Sequence, residues 1–177
     1  MKEKQPPLRL HLGGVEVREG WKILNIQPGP GVDFLGTCTD LSQFADGSVT
    51  EVYASHVYEH LNFHDELWNA LREAHRVLLP GGLLRVGVPD LDVLCKLFLT
   101  PNLDVNARFQ VVRMLYGGQS DPFDYHKAGF NFQILSWYLE QVGFKNIRRV
   151  PSFNLFRDTT SLDFGGVPIS LNVIAMK

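Results

Sequence analysis

The stretch Glu73-Ala74-His75-Arg76-Val77-Leu78-Leu79-Pro80-Gly81-Gly82-Leu83-Leu84-Arg85-Val86 holds the end of one element, a turn and the start of the next. Upstream of the turn, Leu67, Ala70, Leu71, Ala74, Val77 and Leu78 recur at steps of three and four, which makes one apolar stripe along a helix. Asp65 and Glu66 suit its first turn, while Arg72, His75 and Arg76 follow later, as the helix dipole favours. Pro80-Gly81-Gly82 is read as the stop. Beyond it, Leu83 to Val88 is apolar on both faces, as a central strand of a parallel sheet must be, and Pro89-Asp90 ends it.

The same alternation extends outward. Leu8 to Leu12 reads as a strand ending at Gly13-Gly14, Lys22 to Ile26 as a second ending at Gln27, and Phe34 to Thr39 as a weak third. Val49 to Ser55 is a further strand running into His56 to His64. Helices are expected over Leu91 to Phe98, Val105 to Tyr116 and from the N-cap Asn131 to Gly143, with strands at Lys145 to Val150 and Ile169 to Met176. The pattern predicts an α/β, Rossmann-like, doubly wound sheet, mostly parallel, with an antiparallel last strand. A parallel crossover usually takes a dozen or more residues. Only Gly13 to Trp21 are available between the first two strands, so the first crossover helix is expected to be short or missing.

At 177 residues and 45% hydrophobic composition, the chain suits one domain over residues 1–177. Its 17 basic and 19 acidic residues are interspersed, with no cationic run to neutralise a phosphate backbone, so nucleic acid is not an expected partner. Met1 to Pro7 offers no apolar stretch for a signal peptide or membrane span, and a cytoplasmic protein is expected. Cys38 and Cys95 fall in separate elements and are expected to be reduced thiols.

Three segments together resemble the class I, S-adenosylmethionine-dependent methyltransferase superfamily, in its small-molecule group often labelled type 11. They are Tyr53-Ala54-Ser55-His56-Val57-Tyr58-Glu59-His60-Leu61, the Glu73 to Val86 stretch, and the pair Gly143-Phe144 before a late strand. The resemblance runs from about Leu8 to the C-terminus. It implies S-adenosylmethionine as cofactor, bound beyond the carboxyl ends of the strands. Gly13 and Gly14 would let backbone approach the methionyl part, although Val15-Glu16-Val17 stands where the family has more glycine. Gln27 would take the ribose position, which is usually acidic. Asp40 would face the adenine amino group with the Leu41 N–H beside it, and Ser55 and His56 would lie near the methyl group.

The loop Gly117 to Lys127 links helices near the expected methyl position, and His126, with Asp124 or Asp121, is the candidate base for a small-molecule acceptor. His56, His60 and His64 fall at four-residue steps, which on a helix would align metal ligands. No cysteine or fourth ligand accompanies them, and no metal is expected. The alternative function is a catalytically inactive binding or scaffolding domain, suggested by the worn glycine loop, Gln27 and the missing helix. A nicotinamide-dependent oxidoreductase needs G-x-G-x-x-G opening a helix, which Gly13-Gly14-Val15-Glu16-Val17 does not supply.

Overall fold

Residues 8–177 are described by the computed structural model. Met1 to Pro7, read above as lacking an apolar leader, lie outside the described residues. The chain runs through strands β1 (Leu8–Leu12), β2 (Lys22–Asn25), β3 (Phe34–Leu35) and β4 (Val49–Ser55), then a 3-10 turn at Tyr58–His60 and helix α1 (Glu66–Val77). Strand β5 (Leu78–Pro89) leads to helices α2 (Leu91–Phe98), α3 (Val105–Tyr116) and α4 (Phe132–Val142). Strand β6 (Lys145–Val150), the two-residue strands β7 (Asp163–Phe164) and β8 (Val167–Pro168), and β9 (Ser170–Met176) complete it.

Seven of these strands form one sheet in the order β3-β2-β1-β4-β5-β9-β6. The pairs on the β3 to β5 side are parallel, and β9 runs antiparallel to both β5 and β6. As expected, β4 lies between β1 and β5. Strand order reverses between β1 and β4, and such a switch opens a crevice at the carboxyl ends of the strands.

One face of the sheet is covered by α1 and α4. Leu67, Ala70, Leu71, Ala74 and Val77 of α1 are fully buried and meet Leu10, Leu12, Val52, Ala54, Leu84 and Val86 in the main core. Each buried leucine contributes about 1.5–3 kcal/mol of transfer free energy. Asn131 caps α4 by accepting from the Ile134 N–H, and Gly143 adopts a left-handed φ of 107° at its end, as the sequence suggests.

Pro80-Gly81-Gly82 does not stop α1 as expected. The helix ends because Leu78 turns directly into extended backbone, and the PGG turn lies inside β5 as an irregularity in its pairing with β4. Lys177 closes the helix end, donating from Nζ to the carbonyls of Arg76 (3.1 Å) and Leu78 (2.7 Å). This arrangement satisfies orphan carbonyls at the negative end of the dipole.

No helix joins β1 to β2, and Gly13 to Trp21 form a turn-rich loop. The face that a crossover helix would cover carries aromatic packing instead. Trp21, Tyr53, Phe153, Phe156 and Ile174 form a second buried cluster, so a segment remote in sequence does the covering. The β7–β8 hairpin, whose Phe164 packs on a third cluster of Leu94, Val111 and Ile169, has no counterpart in the sequence reading.

Candidate functional site

A cleft of about 470 Å³ opens at the carboxyl ends of β1, β2 and β4. Gly13 and Asn25 line it from the first two strands, Thr37, Cys38 and Thr39 from the loop after β3, and His56, Val57 and His60 from the turn after β4. Pro122, Phe123 and Lys127 reach it from the α3–α4 loop.

Gly13 has a φ of +68°, and its N–H donates to the Leu24 carbonyl at 2.8 Å. A Cβ there would lie 2.7 Å from Val57 Cγ2, so both conformation and space require glycine. Gly14 is not a wall of the cleft. Its carbonyl accepts from Asn25 Nδ2 at 3.1 Å, and a Cβ would strike the His11 ring.

Several expected positions move. Gln27 borders the cleft but is exposed, two residues past the end of β2. Asn25 ends the strand, and its Oδ1 accepts from the Gln27 N–H at 3.0 Å; placing the strand end one residue late hid it. Asp40 is exposed outside the lining, and its Oδ1 accepts from the Ser42 N–H. This turn holds the carboxyl below its ordinary range, chiefly through that backbone hydrogen bond. Leu41 points into the core, and its N–H is already donated to Glu73 Oε2 at 2.8 Å. The physical reason is that β3 is only two residues long, so Thr37–Thr39 reach the cleft before Asp40 does. Cys38 is buried with a free thiol, and burial pushes it up to about 12, so it is inert at neutral pH.

Ser55 ends β4 outside the lining, and the cleft wall begins at His56. His56 adopts a φ of 52°. Its ring leans between Ser170 Oγ, 2.9 Å from Nε2, and Glu59 Oε1, 3.0 Å from Nδ1.

His126 lines a second, smaller cavity of about 220 Å³. His56 and His60 border both cavities and form the seam between them. The His60 and His126 rings meet edge to face at 4.8 Å. Burial lowers the His126 pKa, against the opposing effect of Glu59, and nearby His60 and His56 lower it further; the ring is neutral at neutral pH. Asp124 and Asp121 do not pair with it as foreseen. The Asp124 carboxylate accepts from the Gly118 and Ser120 N–H groups and the Ser120 hydroxyl, while Asp121 accepts from the Phe123 N–H. Tyr125 lines neither cavity, although its carbonyl lies 3.2 Å from His60 Nδ1. The loop does fold over the strand ends, because the N–H groups of Lys127 and Ala128 both donate to the Glu59 carbonyl.

Comparison with known proteins agrees with this geometry. Residues 17–86 match the family described as Methyltransferase domain. That segment includes β2 through most of β5 and the turn after β4. The fold is that of the class I, S-adenosylmethionine-dependent methyltransferase superfamily. Among solved structures with this methyltransferase fold, one of a SAM dependent methyltransferase from Archaeoglobus fulgidus has 16% identity and a TM-score of 0.60, with 98% of this chain and 87% of that chain covered. A Burkholderia thailandensis 1,6-didemethyltoxoflavin-N1-methyltransferase, with bound 1,6-didemethyltoxoflavin and S-adenosylhomocysteine, has 16% identity, a TM-score of 0.59 and coverage of 97% and 71%. A Thermotoga maritima SAM-dependent methyltransferase, a possible histamine N-methyltransferase, has 18% identity, a TM-score of 0.57 and coverage of 96% and 81%. No curated protein matches the chain by sequence. S-adenosylmethionine is the cofactor that goes with this superfamily. The inactive-relative alternative finds no support in these comparisons. Among the described residues, no helix is long and apolar enough to cross a membrane.

Proposed function

We propose that the chain transfers the methyl group of S-adenosylmethionine to a small-molecule acceptor. The observation that carries this reading is the pair of adjoining cavities, one behind the glycine turn and one walled by His126, with His56 and His60 at their seam. The larger is within the range of ligand pockets, about 300–1,000 Å³. Gly13 would hold the methionyl end of the cofactor there, Asn25 and Gln27 its ribose, and Thr37–Thr39 its adenine. The acceptor enters from the smaller cavity, past Phe123. The small molecule bound to the Burkholderia relative supports an acceptor of this size class.

In the reaction, a lone pair of an acceptor oxygen or nitrogen forms the new bond to the methyl carbon. The carbon–sulfur bond breaks, and its electron pair returns to sulfur as a neutral thioether. His126, neutral and half-enclosed, takes the proton that the acceptor loses. The sulfonium is reactive in itself, so the protein's main contribution is alignment, with base help added.

Calorimetric titration with S-adenosylmethionine and its demethylated product tests this. A micromolar dissociation constant for either supports it, and none tighter than millimolar overturns it.

A further inference from the structure

Glu59 is fully buried, yet its Oε2 has no hydrogen-bond partner among the described residues. An ionised carboxylate without compensation is among the costliest groups to bury. Its other oxygen, Oε1, faces His56 Nδ1. Ser170 Oγ donates its own proton to the Thr159 carbonyl at 2.9 Å, so it can only accept from His56 Nε2–H. Nδ1 is the ring nitrogen left to face the carboxylate, and it can engage only Oε1. Oε2 is left without a donor, and a cation beside it would supply the missing partner.

The neighbouring histidines are oriented to supply the rest of such a site. His60 Nδ1 lies 3.2 Å from the Tyr125 carbonyl, which can only accept, so this nitrogen carries the proton and Nε2 keeps a free lone pair. A histidine whose second nitrogen is tied to a backbone carbonyl is the usual arrangement around a bound metal. One ring nitrogen each from His60 and His126, and a carboxylate oxygen of Glu59, lie within 4.8 Å of one another. Two imidazoles and one carboxylate suit a divalent first-row transition metal with positions left open.

We propose that Glu59, His60 and His126 bind one such ion at the seam between the two cavities, with His56 positioning the carboxylate. This goes beyond methyl transfer and stands without it, since the ion needs no cofactor to bind. In the loaded protein, His126 is a ligand. The base role given to His126 above then belongs to the ion-free protein, because a coordinated ring nitrogen has no lone pair left for a proton. His64, the third histidine of the four-residue spacing, is exposed beyond the single 3-10 turn and stacks on Phe63.

The test uses the full chain after chelation and dialysis, titrated with Zn²⁺ by calorimetry and with Co²⁺ by visible absorption, without cofactor. One ion per chain is expected, with the intense visible bands of low-coordinate Co²⁺. Glu59→Gln and His126→Ala should each weaken Zn²⁺ binding by at least about tenfold, the lower end of losses seen even for outer-sphere partners. His64→Ala should leave it unchanged. Absence of uptake at millimolar Zn²⁺, uptake untouched by Glu59→Gln and His126→Ala, or an equal loss in His64→Ala overturns the proposal. Should Glu59→Gln fail to fold by circular dichroism, His60→Ala and His126→Ala decide. A protein that binds S-adenosylmethionine but no Zn²⁺ refutes the ion alone.

Discussion

The backbone N–H of Leu41 donates to Glu73 Oε2, and the same carboxylate is held by Arg76 through Nη2 at 2.8 Å. Arg76 also donates to the carbonyls of Leu41 and Phe44 and to Asp46. One helical arginine therefore fastens the loop that carries Thr37–Thr39 to the cleft wall. Glu73→Ala should lower stability by about 1–3 kcal/mol, because it leaves a buried N–H and the guanidinium short of a partner. It should also weaken S-adenosylmethionine binding. Urea unfolding and calorimetry check both, and unaltered affinity would show that the loop keeps its shape without the clamp.

Gly13→Ala should be more damaging at the site than its size suggests. The left-handed φ costs an L-residue about 1–2 kcal/mol, and the new methyl meets Val57 on the cleft wall. A Tm shift of several degrees together with lost cofactor binding is expected. Retained affinity would mean that the ligand does not approach this turn.

Gln27→Asp restores a carboxylate beside the ribose position and should tighten cofactor binding by up to about tenfold, the gap between charged and neutral hydrogen bonds. Asn25→Asp should do the reverse, since Asn25 Nδ2 donates to the Gly14 carbonyl and a carboxylate there would repel it. Parallel titrations of the two variants distinguish the residues.

His11 is 4% exposed in the aromatic cluster, its ring 4.1 Å from that of Phe156. Burial lowers its pKa to about 4, against Asp158 and Glu16, which act to raise it. The unfolded chain binds the proton from about pH 6.5 downward, and the folded chain resists until about 4. Stability tied to His11 is thus complete above pH 6.5 and falls as the pH drops to 4, by about 3 kcal/mol at most. His11→Phe should flatten that part of the stability curve. Identical curves for both proteins from pH 7 to 4 would disprove it.

His126→Ala should lower turnover by roughly two to four orders of magnitude while cofactor affinity stays near its starting value, because His126 lies outside the larger cleft. Matched losses in both would assign the side chain a structural role.

The sequence was most legible where local rules act alone. Asn131 and Gly143 mark the ends of α4 and Gly117 the stop of α3, as read from the sequence, while the Asp90 and Asp104 caps of α2 and α3 emerge only in the structure. The site was less legible because its residues are assigned by how far loops extend. Asn25 and Thr37–Thr39 fall inside the strands expected from sequence, since a strand's last paired residue depends on its neighbour, and β2 and β3 pair only at Leu24–Phe34 and Asn25–Leu35. The Glu59, His60 and His126 grouping joins residues far apart in sequence, and no local pattern carries it.

The aromatic lid formed by Phe153 and Phe156 has a temporal consequence. During synthesis, the strands that flank the glycine turn emerge long before the residues that shield Trp21 and Tyr53 from water. A nascent chain halted ahead of Pro151 leaves Trp21 and Tyr53 uncovered, and closing that surface requires contacts between residues far apart in sequence. Burial of this face of the sheet is thereby coupled to a segment translated after β1 to β6, and the earlier strands depend on protection while they wait.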